Sequence, residues 1–474
     1  MIYSFWQRFT LSDLSLDRWV NSSYFYRWVG CLQSWRQQSW LIQWGDEIGA
    51  ILTASVFVLS PFATSLLSTD LIGLLMVGVA AFWVLLTLCD QRSGGITPIH
   101  ATILLFWVIS AISTGLSPVR TDAIGGLGKL SLYLSLFLML ARLCRSPRIL
   151  NWLLAIYLNI ALCVSVYGVN QSIYGARQLA TWVDAESTLA KTTRVYSYLN
   201  NPNLLGGYLL PAIAFSIAAC FMWRSWLTKI LAIVMVVVNT YCLQATYARG
   251  AWIGASVMVL VAVGLAYYWL RPSLPKFWKS WGLSIAIISV VAIGGIVIFL
   301  VPSLHDRVLS IFSDRKDSSN NFRINVWEAV GRMIDDRPIF GFGPGDRVFK
   351  KVYPIYQVNA RFSALSSYSI FLDTIVQVGF VGFTCFLWSI AVTFNYGVRG
   401  LAKLRQAGDR QAVWLMAAIV SMVGLLCQGA FDTVWDRPAI QPLWWLCVGI
   451  VASFYSRAAT SDASQNYQVS TATD

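Results

Sequence analysis

Charge is scarce in this chain: only 12% of its 474 residues are Asp, Glu, Lys or Arg, about half the share of an ordinary soluble domain. Acids are the rarer sign, 22 against 35 basic residues. With 57% hydrophobic residues, a water-soluble fold would have to bury more apolar surface than one core holds. Histidine is rarer still, with His100 and His305 the only two in the sequence. The nine cysteines are scattered singly, with no Cys-x-x-Cys pair, and the two long loops contain none. Neither a zinc site nor a disulfide framework is supported, and no metal or cofactor is expected. A cleavable leader is not expected either, because the first apolar run begins only near Ile48. No basic, aromatic-interleaved soluble region is present to hold nucleic acid. The net charge of +13 reads instead as a topology signal with attraction to anionic lipid.

What the chain does have is apolar windows of roughly 18 residues or more, the length at which an α-helix crosses a bilayer. About twelve are expected. Nine lie within residues 46–301, from Ile48–Leu67 to Leu283–Val301, and three more near Tyr368–Ala391, Val413–Phe431 and Ile440–Tyr455. Pro61 interrupts the first span and Lys129 enters the fourth. Lys and Arg alternate between connecting segments, with Arg142, Arg145 and Arg148 on one face and few on the other, which predicts cytoplasmic N and C termini. The fold class is therefore an all-α integral membrane protein with the lipid bilayer as its first partner.

Three soluble stretches complete the organisation. Residues 1–45 form a Trp-rich arm in which Phe25, Trp28, Leu32 and Trp35 fall at helical spacing, as in a helix lying in the interface; an arm touching headgroups through its tryptophans is the alternative. Residues 302–367 form a large, partly helical non-cytoplasmic loop, and residues 457–474 a polar tail of disordered composition. Within the loop, Asn325–Met333 reads as an amphipathic helix with Trp327 near its start and Arg323 two residues before it. It ends at Arg337-Pro338, before a glycine turn at Gly341-Phe342-Gly343-Pro344-Gly345. That turn lacks the lysine and hydroxyl of a phosphate-binding P-loop. Asn203, expected to cap a helix, Arg249 and the pair Asp432-Thr433 mark three short segments where helices meet this face. An arginine at a membrane boundary is costly unless used or solvated.

Taken together, Asn200 to Asn203, Thr246 to Gly250, Arg323-x-x-x-Trp327, Arg337-Pro338-x-x-Gly341-x-Gly343 and Gly379-x-x-Gly382 resemble the O-antigen ligase and polymerase superfamily. Within it the likeness is greatest to the cyanobacterial IctB family of bicarbonate transporters. The resemblance implies a bacterial inner-membrane protein with its large loop in the periplasm. Superfamily members transfer a glycan from a polyprenyl diphosphate; arginines neutralise the diphosphate and a histidine activates the acceptor. Arg249, Arg323 and Arg337 match the arginine positions, with Asn203, Trp327, Gly341 and Gly343 supporting them. Tyr368 stands where the family carries its histidine, and an unperturbed phenol is a far weaker base than imidazole near neutral pH. The IctB likeness implies inorganic carbon uptake, with bicarbonate as the oxyanion at the arginines and no enzyme activity. The alternatives are a ligase-like glycosyltransferase using a lipid-linked diphosphate, and a non-catalytic partner of another membrane protein.

Overall fold

The computed structural model describes residues 2–11, 24, 28–63, 65–90, 95–176, 194–300, 318–359 and 362–455. Among the described residues there is no strand. The main helices are α1 Gly45–Leu59, α2 Thr69–Cys89, α3 Pro98–Leu116, α4 Arg120–Leu143, α5 Pro147–Tyr174, α6 Pro202–Met222 and α7 Trp226–Ala245. There follow α8 Arg249–Leu270, α9 Lys276–Leu300, α10 Ser318–Asp336, α11 Asp346–Tyr356, α12 Ile370–Ala407, α13 Ala412–Gly429 and α14 Gln441–Tyr455. All but α10, α11 and the shorter α14 are long and apolar enough to cross a membrane, eleven helices in total among the described residues. The all-α multi-pass architecture thus stands, with α14 as a shorter apolar twelfth.

Helix ends follow local chemistry. Proline occupies the first turn of α3, α5 and α6, where a missing N–H costs nothing. Ser68, Ser146, Asn201 and Ser225 cap α2, α5, α6 and α7 with side-chain oxygens. Pro61 ends the first span in a 3₁₀ turn, Ser60–Phe62. Lys129, inside α4, donates to the Asp436 carbonyl at 2.8 Å, so its ammonium is satisfied within the bundle. At the other end of α4, Arg142 pairs with Asp46 and Asp90, and Asp90 also takes Arg36 from the N-terminal arm. The arm's short helix Ile2–Phe9 meets α12 through Trp6 Nε1 donating to Asn395 Oδ1 at 3.0 Å. Much of the expected interfacial helix around Phe25, and the tail after residue 456, lie outside the described residues.

Small residues set the centre of the bundle. A Cβ added at Gly254 of α8 would lie 2.8 Å from the Gly424 carbonyl of α13, and one at Gly206 of α6 would lie 2.6 Å from Ala251 Cβ of α8. Such contacts let helices approach closely in lipid, where apolar side chains gain little by leaving the tails. Helices α6, α8 and α13 therefore meet near one end, the end that carries α10 and α11. By contrast α9 packs on α8 and leaves Ile288, Val291, Ile293 and Phe299 exposed, as a lipid-facing helix does.

Helix α12 is broken at Gly379, whose φ of 67° and ψ of −176° are not helical. The break frees backbone groups that hydrocarbon cannot solvate. The glycine-turn segment satisfies them: Phe342 and Gly343 N–H donate to the Val376 and Gln377 carbonyls at 2.8 and 2.9 Å, and Phe380 N–H donates to the Pro338 carbonyl at 2.7 Å. The Ser117 hydroxyl then holds the Phe342 carbonyl at 2.5 Å. The approach leaves no room for a side chain, since a Cβ at Gly379 would lie 2.0 Å from the Ile339 oxygen and one at Gly341 2.5 Å from the Val376 oxygen. Both positions also have positive φ, disfavoured for any L side chain. The glycine turn, whose Gly341 and Gly343 the resemblance sets beside the arginines, is the backbone complement of a broken helix.

Gly379→Ala and Gly341→Ala should each destabilise the protein by about 1–3 kcal/mol or more, from strain plus backbone displacement. Gly78→Ala, where an added Cβ meets nothing within 4 Å, should be neutral or stabilising by up to about 1 kcal/mol. Thermal melting in detergent ranks the three; equal melting temperatures would refute the pairing.

Candidate functional site

Where α6, α8 and α13 converge, Arg194, Asn203, Arg249, Arg323, Gln428 and Asp432 line a pocket of about 30 Å³. Five chain segments supply them. Asn203 lies in the first turn of α6, but the cap is Asn201, whose Oδ1 accepts from Asn203 N–H at 2.8 Å and Leu204 N–H at 3.3 Å. Freed from that duty, Asn203 Oδ1 accepts from Arg194 at 2.9 Å, and its carbonyl accepts from Gln428 Nε2 at 2.7 Å. Arg194 also donates through Nε to the Thr246 carbonyl at 3.0 Å. Arg249 opens α8 directly after the N-cap Ala248 and two residues after Tyr247, whose φ is 51°. It is only 8% exposed and donates to Asn320 Oδ1 of α10 at 3.1 Å. Arg323, also on α10, faces Asp432 at 3.7 Å.

The balance of charge in this pocket is three guanidinium groups against one carboxylate. Burial is the main force on Arg194, and with Arg249 and Arg323 nearby it pushes the Arg194 pKa down to about 10, Asp432 opposing the shift. Burial likewise raises the Asp432 carboxyl, against the pull of Arg323, Asn203 and Arg194. Gln428 Oε1, also lining the pocket, is buried without a partner. Clustered cations with planar, forked donors bind oxyanions in bidentate fashion. The site suits a multivalent oxyanion held by direct donors. Among the described residues no cluster of His, Cys, Asp or Glu is placed to hold a metal ion.

Of the residues singled out from sequence, Arg249, Arg323 and Asn203 come together here. Trp327 lies one turn beyond Arg323 on α10 and its Nε1 donates to the Ser367 carbonyl at 2.9 Å, fixing the approach to Tyr368. Tyr368 sits just before α12 with φ of 54° and its ring meets Phe322 edge-on at 5.5 Å. Burial, reinforced by Asp432, raises its phenol pKa above the usual tyrosine range, so it stays protonated near neutral pH. Arg337 stands apart: it donates to the Leu116 carbonyl at 2.9 Å and lies 5.5 Å over the Phe342 ring, which locks the glycine segment. Gly341 and Gly343 serve the broken helix. His305 lies outside the described residues, and the ring of His100 accepts from Thr97 N–H at the start of α3. Arg194 and Gln428 were not visible as site residues, because one lies in a long loop exempt from charge counting and the other looks like a polar residue inside a span.

Residues 234–387 match the family model described as O-antigen ligase, a stretch shorter than half of the chain. It contains Arg249, Arg323, Arg337, Tyr368 and the break at Gly379, while Arg194, Asn203, Gln428 and Asp432 lie beyond it. No curated protein matches the chain. The match supports an O-antigen ligase-like multi-pass membrane protein.

Because Asp432 competes for Arg323, sulfate, which does not titrate in the range, should bind more tightly as pH falls through the raised Asp432 pKa. Asp432→Asn should bind sulfate more tightly at pH 7–8 than wild type and lose that pH dependence. Calorimetric titration across pH checks both; a slope unchanged in Asp432→Asn would mean another group controls the site.

Proposed function

We propose that this O-antigen ligase-like protein is a membrane glycosyltransferase that grips a polyprenyl-diphosphate-linked donor with Arg194, Arg249 and Arg323. The observation that carries the reading is the three-arginine pocket where the starts of α6 and α8 meet the end of α13. A diphosphate presents several anionic oxygens to several guanidinium groups at once, which a monovalent anion cannot do. In the reaction the bond from the anomeric carbon to the diphosphate oxygen breaks, and a bond from that carbon to an acceptor hydroxyl oxygen forms. The arginines stabilise the charge that collects on the departing diphosphate.

With Tyr368 protonated, the phenol is no base; it is suited to donate a hydrogen bond. The departing diphosphate takes the acceptor's proton, so that atoms and charge balance without an imidazole. Trp327, by holding Ser367, positions Tyr368 beside the Arg323–Asp432 pair. Nothing in the fold or the family match supports the expectation of bicarbonate transport, for which the arginine pocket is only permissive.

The test is binding of undecaprenyl diphosphate by the full chain in nanodiscs, against undecaprenyl monophosphate and undecaprenol. Wild type should prefer the diphosphate, and Arg249→Ala and Arg323→Ala should each weaken it about tenfold to a hundredfold, as loss of a charge-assisted hydrogen bond of about 1.5–3 kcal/mol implies. No preference for the diphosphate over undecaprenol would end the transferase reading. Saturable bicarbonate uptake by proteoliposomes, abolished in both variants, would restore the transporter.

A further inference from the structure

A second cavity, of about 110 Å³, lies across the Phe431–Asp436 segment from the arginine pocket, among α3, α4, α12 and α14. By the roughly 10–15 Å³ that one water requires, it has room for several. Four side chains lining it are at least nine-tenths buried: Asp373, Thr433, Gln441 and Trp445. Each carries a polar atom with no hydrogen-bond partner, namely Asp373 Oδ1, Thr433 Oγ1, Gln441 Oε1 and Trp445 Nε1. The other Asp373 oxygen accepts from Gln377 at 2.6 Å, and the nearby Ser367 hydroxyl donates to the Ser369 carbonyl instead. Buried polar atoms are rarely left unpaired, and several unpaired around one space point to an occupant.

The unpaired atoms describe that occupant. Carboxylate and amide oxygens accept only, the indole N–H donates only, and the threonine hydroxyl does either. Water both donates and accepts within a small volume, and so does a ring bearing hydroxyl groups; the lining separates the two. A cation would leave the indole N–H unused. An anion would face Asp346, Asp373 and Asp436, with Lys129, whose ammonium already holds the Asp436 carbonyl, as the one basic side chain in the lining. The walls are aromatic: the Trp435 and Trp444 rings lie 4.1 Å apart, and Phe386 meets Trp435 at 6.0 Å. Flat aromatic faces suit the C–H faces of a sugar ring while polar atoms take its hydroxyls.

We propose that this cavity binds one ring of a neutral saccharide and serves as the acceptor subsite of the transferase. The acceptor role rests on the transferase reading; binding itself does not. The placement suits it, because Thr433 in this cavity directly follows Asp432 in the arginine pocket. A hydroxyl held on one side of that segment lies next to a diphosphate held on the other.

The test is saturation-transfer NMR of the full chain in detergent with methyl glycosides of glucose, galactose and N-acetylglucosamine, in wild type, Thr433→Val, Gln441→Met and Arg249→Ala. Because Thr433 Oγ1 and Gln441 Oε1 bond to no protein atom, their loss should leave the ligand-free melting temperature unchanged or raised, while glycoside affinity falls about tenfold in each. Arg249→Ala should keep glycoside binding even as it weakens diphosphate binding, which separates this proposal from the donor site. No saturation transfer to any glycoside in wild type, or equal binding in Thr433→Val and Gln441→Met, would show a cavity filled by water alone and overturn the proposal. Loss of glycoside binding in Arg249→Ala but not in Thr433→Val would place the sugar at the arginines and overturn it too.

Discussion

The hydrogen bonds that close the break in α12 are what the rest of the functional end depends on. Hydrocarbon offers no partner for a free N–H or C=O, so a transmembrane helix is interrupted only where protein backbone can fill in. Here residues 338–343 do so, paired to Val376, Gln377 and Phe380. That pairing ties the large loop to the bundle, because α10 runs directly into the segment and α11 directly out of it. Arg323 and Trp327 ride on α10, and Tyr368 is reached through Trp327's bond to Ser367. The loop's chemistry is thus fixed to the membrane helices by backbone bonds, not by side chains alone.

The second constraint is the buried positive charge. Three arginines sharing a small pocket repel one another, and Asp432 compensates one of them. Asn203, Asn320 and the Thr246 carbonyl take some of the guanidinium donors. The surplus of cations is retained because the helices beneath are fixed by glycine contacts at Gly206, Gly254 and Gly424. A frame that cannot relax holds like charges together. The same frame places the Phe431–Asp436 segment as a thin wall between a pocket of guanidinium groups and a cavity of hydroxyl-seeking atoms.

Several of these features could be read along the chain. Arg249 is conspicuous because a cation at a membrane edge requires a reason, and Arg323 and Trp327 because they form one spaced motif. Asp432 stands out only as part of a short segment where spans meet this face, and Arg194 and Gln428 carry no such mark. Their roles arise from contacts across large sequence separations, such as Gln428 Nε2 to the Asn203 carbonyl. No local pattern encodes such contacts. Arg337 shows the opposite failure: its motif places it with the other arginines, whereas its guanidinium is spent on Leu116 and Phe342. The glycines at 341 and 343 carried a true signal, close backbone approach, but sequence could not say whether a phosphate or another backbone was approaching.

By itself the sequence determined that this is a multi-pass helical membrane protein with a basic loop segment between its ninth and tenth spans. Hydrophobic length and charge scarcity are summed properties of single segments, and the bilayer reads them one helix at a time. Only the tertiary structure decided which arginines share a pocket, that Asp432 opposes them, and that the Gly341 segment mends a broken helix. It also decided where unpaired polar atoms enclose a cavity. Those outcomes depend on helix crossings and backbone pairings between distant segments, whose geometry follows from packing and not from the composition of any one of them.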